Sequence, residues 1–326
     1  TACETKESSG SYSMRQNEID NHLKSNNLDQ IDLDYLLEHE GKLEYINLQV
    51  SNICNLKCLS CSPMSSSLWE KDFLLHEQDH PFWNQLSKAD LKNNFPLPLL
   101  IKLVNKLKKN CRLYITGGEP SITEGVLELL EYLPTVIKDL DSVQLVLNSN
   151  FRVHSKRFIN AIKPFGHAIM LASIDHIGKK AEYIRTGTKW NIVEKNLLFF
   201  RDNLPKWEYR LHPVNQILVT PTLNELNSWA NKHDIELVLQ CILTRPNYLK
   251  VSILDQKTKD ETVSMLRSQK FKVEEWGDSS QLENLINFIQ GEPPNKMLME
   301  QCIKYLTKMD KRNRTDYKSL FPYIRL

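Results

Sequence analysis

The chain has 326 residues, of which 41% are hydrophobic and 25% charged. This composition is ordinary for a soluble globular protein, and the length suffices for one large α/β domain or two medium ones. Its 42 basic and 40 acidic residues leave a formal net charge of +2, so we predict neither a nucleic-acid nor a membrane partner. The sequence shows neither a run of eighteen apolar residues nor a signal peptide, and its start without Met suggests a fragment or a processed chain.

Seven cysteines are present, an odd number that is dispersed except for one cluster of three. A secreted protein of this size would favour even counts in a disulfide framework. The pattern therefore predicts a protein of the reducing cytoplasm, in which the cysteine cluster binds a metal. The isolated Cys111, Cys241 and Cys302 are predicted to be packing residues, and the alternative is that one of them joins a second metal site.

Predicted elements begin with a polar segment, residues 1–42, that has helical stretches at 13–24 and 33–40. Residues 43–51 have the β-branched and aromatic composition of a strand. Helix-like and strand-like stretches then alternate. In chain order they are helix 99–109, strand 111–116, helix 123–137, strand 142–149, helix 155–163, strand 168–175, helix 178–203, strand 209–220, helix 223–233 and strand 235–243.

This alternation predicts a parallel sheet of about six strands built from right-handed βαβ units. The pattern alone does not separate an open sheet from a barrel, but in both the ligand-binding groups gather where the strands end. After residue 246 the alternation weakens. Residues 248–254 are a candidate strand, and helices follow. We therefore divide the chain into an N-terminal segment 1–42, a core 43–245 and a C-terminal region 246–326.

The cysteine cluster reads "CNLKCLSC" and contains Cys54, Cys58 and Cys61 directly after the first strand. Such spacing also fits a buried helical stripe, although polar residues stand between the cysteines. Zinc normally takes four ligands in paired knuckles, and His76 and His80 lack that spacing. Three thiolates on a short loop suit a 4Fe-4S cluster whose fourth iron takes a ligand that is not protein.

The same stretch resembles the CxxxCxxC signature of the radical S-adenosylmethionine (SAM) superfamily. The resemblance implies a partial (β/α)6 TIM-like barrel with a smaller, mostly helical C-terminal region. It also implies that SAM binds the open iron through its amino and carboxylate groups.

A second motif, "TGGEP" at 116–120, resembles the family's glycine-rich GGE motif. Gly117 and Gly118 let the backbone approach a ligand closely. The alternative is a plain strand-to-helix turn that Pro120 begins. The resemblance implies that this segment, including Glu119, receives the amino group of SAM.

Two later strand ends carry polar residues that resemble the family's cofactor contacts. Asn148, Ser149 and Asn150 end "LVLNSN", where the family places groups near the ribose and carboxylate. Ser173 and Asp175 end "LASID", which resembles the "SID" of peptide-modifying members. Arg185 in "YIRTGTKW" could form a bidentate contact with the SAM carboxylate. For each residue a capping or turn role remains the alternative.

One position departs from the family. The residue before its last cysteine is commonly aromatic or large and apolar, but here it is Ser60. The adenine contact would then come from another residue, with Met64 and Phe151 as candidates.

The remaining sequence resembles the radical SAM proteins with a twitch domain, in residues 1–15, 229–237 and 309–324. This implies that residues 1–42 are the end of an auxiliary iron–sulfur (SPASM/twitch-like) region. Cys3 would be its last ligand or else a free thiol.

The family resemblance implies an enzyme that cleaves SAM reductively to a 5′-deoxyadenosyl radical, which abstracts hydrogen from its substrate. We expect a peptide or protein substrate and a flavodoxin- or ferredoxin-like reductant. The alternatives are an enzyme acting on a small metabolite, such as a sugar or nucleotide derivative, and a non-catalytic iron–sulfur electron carrier or sensor.

Overall fold

A computed structural model describes residues 43–77, 97–104, 107–153, 155–272 and 280–326. The strands are β1 (Leu43–Gln49), β2 (Lys57–Cys58), β3 (Leu107–Thr116), β4 (Val143–Ser149), β5 (Ala168–Ala172), β6 (Arg185–Thr186), β7 (Glu208–Leu211) and β8 (Glu236–Leu237). The helices are α1 (Ser67–His76), α2 (Leu97–Val104), α3 (Glu124–Val136), α4 (Lys156–Ile162), α5 (Gly178–Ile184), α6 (Trp190–Asn203), α7 (Leu223–Lys232), α8 (Gln256–Ser268), α9 (Ser280–Gln290), α10 (Lys296–Asn313) and α11 (Tyr317–Leu320).

Six strands form one parallel sheet in the order β1-β3-β4-β5-β7-β8, and β2 pairs with β6 in a separate antiparallel ribbon. The spatial order of the six strands follows the chain order, so each strand adds to the same growing edge. A doubly wound sheet would instead reverse direction at a switch point. The predicted mixed α/β fold with a partial TIM-like barrel is confirmed.

The two faces of the sheet differ because side chains alternate along each strand. On the helix-covered face the strands present buried apolar side chains: Ile46, Leu48, Leu113, Ile115, Leu145, Leu147, Met170, Ala172 and Leu211. The strand register aligns a row on the other face, which we call the inner face: Gln49, Thr116, Asn148, Leu171, Arg210 and Glu236. Polar groups therefore line the inner face at the carboxyl edge of the sheet.

Several predicted elements have different bounds in the structure. The predicted helix 99–109 gives way to β3 at Leu107. The predicted strand 209–220 ends at Leu211, shortly before Pro213, which has no amide hydrogen to donate to a ladder. Residues 248–254 form two 3₁₀ turns, not a strand.

The single helix predicted for residues 178–203 is two helices, α5 and α6. Between them, β6 pairs with the segment that contains Cys58. Gly187 follows β6 with a φ of 101°, which a helix does not allow.

The C-terminal region is helical, and it contacts the segment that follows β1. The Tyr305 hydroxyl of α10 donates to the Leu59 carbonyl oxygen over 2.9 Å. Arg312 of the same helix forms a 2.7 Å ion pair with Asp72 of α1.

In the part of the chain that the structure describes, no helix is long and apolar enough to cross a membrane. Residues 1–42, with Cys3, lie outside the described residues.

Candidate metal and cofactor site

The segment that carries the three cysteines (residues 52–61, the cysteine loop) is held by hydrogen bonds along its length. The Ser67 hydroxyl at the start of α1 lies 3.2 Å from the Cys54 amide, which donates to it. The Trp69 indole donates to the Cys58 carbonyl oxygen over 2.6 Å. The backbone of Cys58 pairs with Arg185 in the β2–β6 ribbon. The loop conformation is therefore set by α1 and β6 as well as by its own sequence.

The three thiols lie in a shared environment. Burial raises the pKa of Cys54 to about 11 and raises the pKa values of Cys58 and Cys61, and the nearby positive charge of Arg185 opposes each rise. Negative charge on Cys61 would further raise the pKa of both Cys54 and Cys58. Within the described ranges no three His, Cys, Asp or Glu side chains are arranged to hold a single metal ion. In a four-iron cluster, by contrast, each thiolate binds a different iron.

The two glycines of "TGGEP" lie against the start of the cysteine loop. Both have positive φ, 86° at Gly117 and 52° at Gly118. A Cβ added to Gly118 would lie 2.2 Å from the Ile53 carbonyl oxygen, and one added to Gly117 would lie 2.2 Å from Cγ of Gln49. The close approach that these glycines permit is therefore to the protein's own chain. Pro120 begins a short 3₁₀ turn, Pro120–Ile122, which agrees with the turn alternative.

The Glu119 carboxylate joins the ends of β3 and β4. Its side chain is buried, with 1% of the residue exposed. It accepts hydrogen bonds from the Ser121 hydroxyl (2.6 Å) and amide (3.2 Å), the Ser149 hydroxyl (3.0 Å) and the Asn150 amide (2.7 Å). Burial raises the pKa of Glu119, and these hydrogen bonds oppose the rise. Because its oxygens are engaged within the protein, the carboxylate has a structural role, and its predicted contact with SAM stays a prediction.

Asn148 and Asn150 project from the end of β4. The Asn148 side-chain amide donates to the Tyr114 hydroxyl over 2.8 Å and to the Thr116 hydroxyl over 3.2 Å. Its buried oxygen Oδ1 has no hydrogen-bond partner among the described residues. The Asn150 side chain donates to Oδ1 of Asn55 over 2.8 Å, which ties the strand end to the cysteine loop.

Asp175 and Arg185 form an ion pair beside the cysteines. Nε of Arg185 lies 2.8 Å from Oδ2 of Asp175, and its Nη2 donates to Oδ1 over 3.1 Å. The fully buried Asp175 also accepts from the Val214 amide over 2.8 Å. The third nitrogen of Arg185, Nη1, donates to the Cys58 sulfur over 3.6 Å. Ser173 is half-buried and lines a small cavity that Asp175 and Arg185 also line.

Two further residues near this site, His212 and Cys241, were not predicted as site residues from the sequence. Burial and the charge of Arg185 lower the pKa of His212, which directly follows β7. Burial raises the pKa of Cys241, and the charge of nearby Asp175 adds to the rise. His212 follows β7 and Cys241 follows the neighbouring edge strand β8, so their positions after two adjacent strands were the available signal. Cys241 had been predicted to be a packing residue, with a role in an auxiliary site as the alternative.

The two candidates for the adenine contact differ in exposure. Met64 is 57% exposed, whereas Phe151 is 1% exposed. The Phe151 ring instead packs edge-on against Phe200 at a centroid distance of 5.5 Å. The side chain of Phe151 is therefore committed to the core, and only Met64 is accessible.

Solved structures with a distant likeness include native anSMEcpe with bound AdoMet and Cp18Cys peptide. Its identity is 15% and its TM-score 0.47, over 69% of this chain and 59% of that one. Streptococcus suis SuiB bound to precursor peptide SuiA has 14% identity and a TM-score of 0.47, over 74% and 50% of the two chains. The radical S-adenosylmethionine methyltransferase TsrM from Kitasatospora setae reaches 10% and 0.38, over 64% and 37%. At TM-scores below 0.5, these likenesses do not establish a shared activity or substrate.

No protein-family model matches the chain. A curated relative, GTP 3',8-cyclase of Psychromonas ingrahamii, is 25% identical over 213 residues, which are 65% of this chain. The chain spans about half of that relative's length, 52%. Part of this chain is therefore similar in sequence to part of a GTP 3',8-cyclase.

Proposed function

We propose that this protein is a radical SAM enzyme in which Cys54, Cys58 and Cys61 hold a 4Fe-4S cluster and SAM binds beside it. The observation that carries the proposal is the meeting of three thiols, the two-glycine turn and Arg185 at one edge of the sheet. When bound, the cluster and SAM would supply reductive cleavage of SAM to a 5′-deoxyadenosyl radical, which abstracts hydrogen from the substrate.

The donor set fits such a cluster. The three cysteines are free thiols on one loop, and Arg185 places a positive charge beside Cys58. Burial raises the pKa of each thiol, so iron must displace the protons as it binds. Three ligands for four irons leave one iron for SAM.

The chain offers SAM several polar groups around this loop. Asn148 lies on the inner face, and its buried side-chain oxygen, which has no hydrogen-bond partner among the described residues, is a candidate acceptor for a ligand hydroxyl. Ser149 is a less direct candidate because its hydroxyl donates to Glu119. The backbone of Gly117 and Gly118, with Ser173 and Arg185, would complete the contacts. Asp175 would act through Arg185, which it holds.

For the substrate we propose a peptide or protein. Neutral hydrogen-bonding groups line the β1–β4 side of the inner face toward its carboxyl edge, where Asn47 and Gln49 are exposed, whereas Arg112 of β3 lies farther from that edge. Arg210 on the same face is balanced by Glu208 and Glu236, at 2.5 and 3.0 Å. Such a surface suits backbone amides better than a triphosphate. A small metabolite is the second candidate, and the match to GTP 3',8-cyclase favours it.

The remaining parts of the proposal concern the surroundings of the enzyme. The free thiols fit a reducing cytoplasm, and a flavodoxin- or ferredoxin-like protein would supply the electron. Cys3 would join an auxiliary twitch-type cluster.

The deciding experiment is anaerobic reconstitution with iron and sulfide, followed by dithionite and SAM. We expect about four irons per chain from this cluster, an altered spectrum of the reduced cluster with SAM, and slow release of 5′-deoxyadenosine without substrate. Replacement of Cys54, Cys58 and Cys61 by Ala should abolish all three. Cys111→Ala, which removes a buried thiol from the middle of β3, is the matched control and should retain them.

The outcomes separate the alternatives. A well-formed cluster that neither responds to SAM nor yields 5′-deoxyadenosine would identify an electron carrier or sensor and contradict the proposal. Faster 5′-deoxyadenosine release with candidate peptides than with nucleotides or sugars would support the peptide class, and the reverse would support a metabolite. Iron that persists in the triple variant of a longer chain would support the auxiliary cluster.

A further inference from the structure

Arg185 uses its three nitrogens on two different partners. Nε and Nη2 bind the two oxygens of Asp175 at 2.8 and 3.1 Å, and Nη1 points to the Cys58 sulfur at 3.6 Å. The Asp175 side chain is fully buried and the Arg185 side chain is only 12% exposed. The guanidinium is thus fixed in a place where few waters compete for its contact with sulfur.

We propose that Arg185 is a positioning residue for the cluster, one that donates a hydrogen bond to the Cys58 sulfur and thereby sets the cluster's reduction potential. This role is distinct from a contact with the SAM carboxylate, because it operates before SAM binds. It rests on the proposed function in one respect: Cys58 must be a ligand of the cluster.

The fold holds the arginine in position at three points. Its backbone pairs with Cys58 in the β2–β6 ribbon, so the two residues keep a fixed register. Asp175 is itself held by the Val214 amide at 2.8 Å. A planar guanidinium held by an ion pair at Nε and a hydrogen bond at Nη2 loses little freedom when its third nitrogen meets the sulfur.

The direction of the effect follows from charge. Reduction adds one negative charge to the cluster, and hydrogen bonds to its sulfurs and nearby positive charge stabilise the reduced form. Loss of the guanidinium should therefore make the potential more negative. Loss of the Asp175 charge, with Arg185 retained, should make the reduction potential of the cluster less negative. A residue that only maintained the fold would not produce opposite shifts in these two variants.

The test is a redox titration monitored by electron paramagnetic resonance on reconstituted protein without SAM. Arg185→Gln is expected to shift the potential to a more negative value, and Asp175→Asn to a less negative one. Arg157→Gln removes the same charge from an exposed ion pair with Glu124 and Glu131, and its potential should equal that of the unchanged protein. Iron content and melting temperature are measured on every variant.

Each outcome bears on the inference. Equal potentials in Arg185→Gln and the unchanged protein, or shifts of the same sign in both site variants, would overturn it. If Arg185→Gln folds but holds no cluster, Arg185→Lys should restore the cluster because it keeps the charge. Failure of that variant to bind iron at an unchanged melting temperature would also overturn the inference. The proposed function fails separately, when the unchanged protein assembles no cluster or does not cleave SAM.

Discussion

The backbone amide of Glu119 donates a hydrogen bond to the Ile53 carbonyl oxygen over 2.8 Å. This contact joins the turn after β3 to the residue that precedes Cys54. The carboxylate of the same Glu119 accepts hydrogen bonds from the end of β4. One residue therefore links the first three strand ends of the sheet, and the position of the cysteine loop depends on that link.

Gly118→Ala should displace the cysteine loop from its position against the turn after β3. The new Cβ would lie 2.2 Å from the Ile53 carbonyl oxygen, and alanine at a φ of 52° is itself strained by about 1–2 kcal/mol. We expect a lower melting temperature and loss of most of the iron bound on reconstitution, measured by thermal denaturation and by iron and sulfide analysis.

Gly178→Ala is the matched control, because Gly178 has a φ of 56° and nothing within 4 Å of an added Cβ. It carries the backbone strain without the clash. If Gly118→Ala and Gly178→Ala lowered the melting temperature equally and bound the same amount of iron, the contact between Gly118 and the cysteine loop would not be needed for iron binding.

Glu119→Gln should destabilise the protein and weaken iron binding. The carboxylate accepts four hydrogen bonds at a buried site, whereas the amide nitrogen of Gln would face donors. An unsatisfied buried group costs about 1–3 kcal/mol. Chemical denaturation should detect this loss, whereas Glu124→Gln, an exposed change that weakens one ion pair with Arg157, should cost less than about 1 kcal/mol. Equal losses would mean that the Glu119 link contributes no special stability.

Tyr305→Phe should loosen the cysteine loop from the C-terminal helix. The change removes the hydroxyl that donates to the Leu59 carbonyl oxygen over 2.9 Å, which costs about 0.5–1.5 kcal/mol. We expect faster loss of iron to a chelator. Tyr209→Phe, which removes hydroxyl contacts with Phe200 and Leu204 far along the chain from the loop, should lower stability by a similar amount without faster iron loss. Identical release rates in the two variants would rule out a role for α10 in holding the loop.

The sheet could be predicted because each of its strands is a local apolar run separated from the next by a helix. The cysteine loop could be predicted because its three thiols are close in sequence. Each of these signals lies within a short stretch of sequence, so it can be recognised without knowledge of the tertiary structure.

The partners of Arg185 could not be predicted in the same way. The residues from Gly178 to Asn203 have the composition of one helix, and β6 is a two-residue strand that exists only because it pairs with the cysteine loop. Cys241 is likewise brought near Asp175 by the sheet and not by sequence. The close approach of Gly118 to the Ile53 carbonyl oxygen, 65 positions away in the chain, could not be predicted from the sequence either.

The unfolding free energy should fall in mild acid because of His176. Its Nδ1 accepts from the Ile177 amide over 2.8 Å and its Nε2 lies 3.0 Å from the Thr222 hydroxyl. Burial and the charge of Lys180 lower the pKa of His176 to about 4 from an ordinary value of 6.5. Between these values the unfolded chain binds more protons than the folded one, so this stability is present above pH 6.5 and is lost as the pH falls toward 4. Denaturation of the metal-free protein across this range should show a shallower acid loss for His176→Gln than for the exposed control His167→Gln. Parallel pH profiles would show that His176 titrates normally.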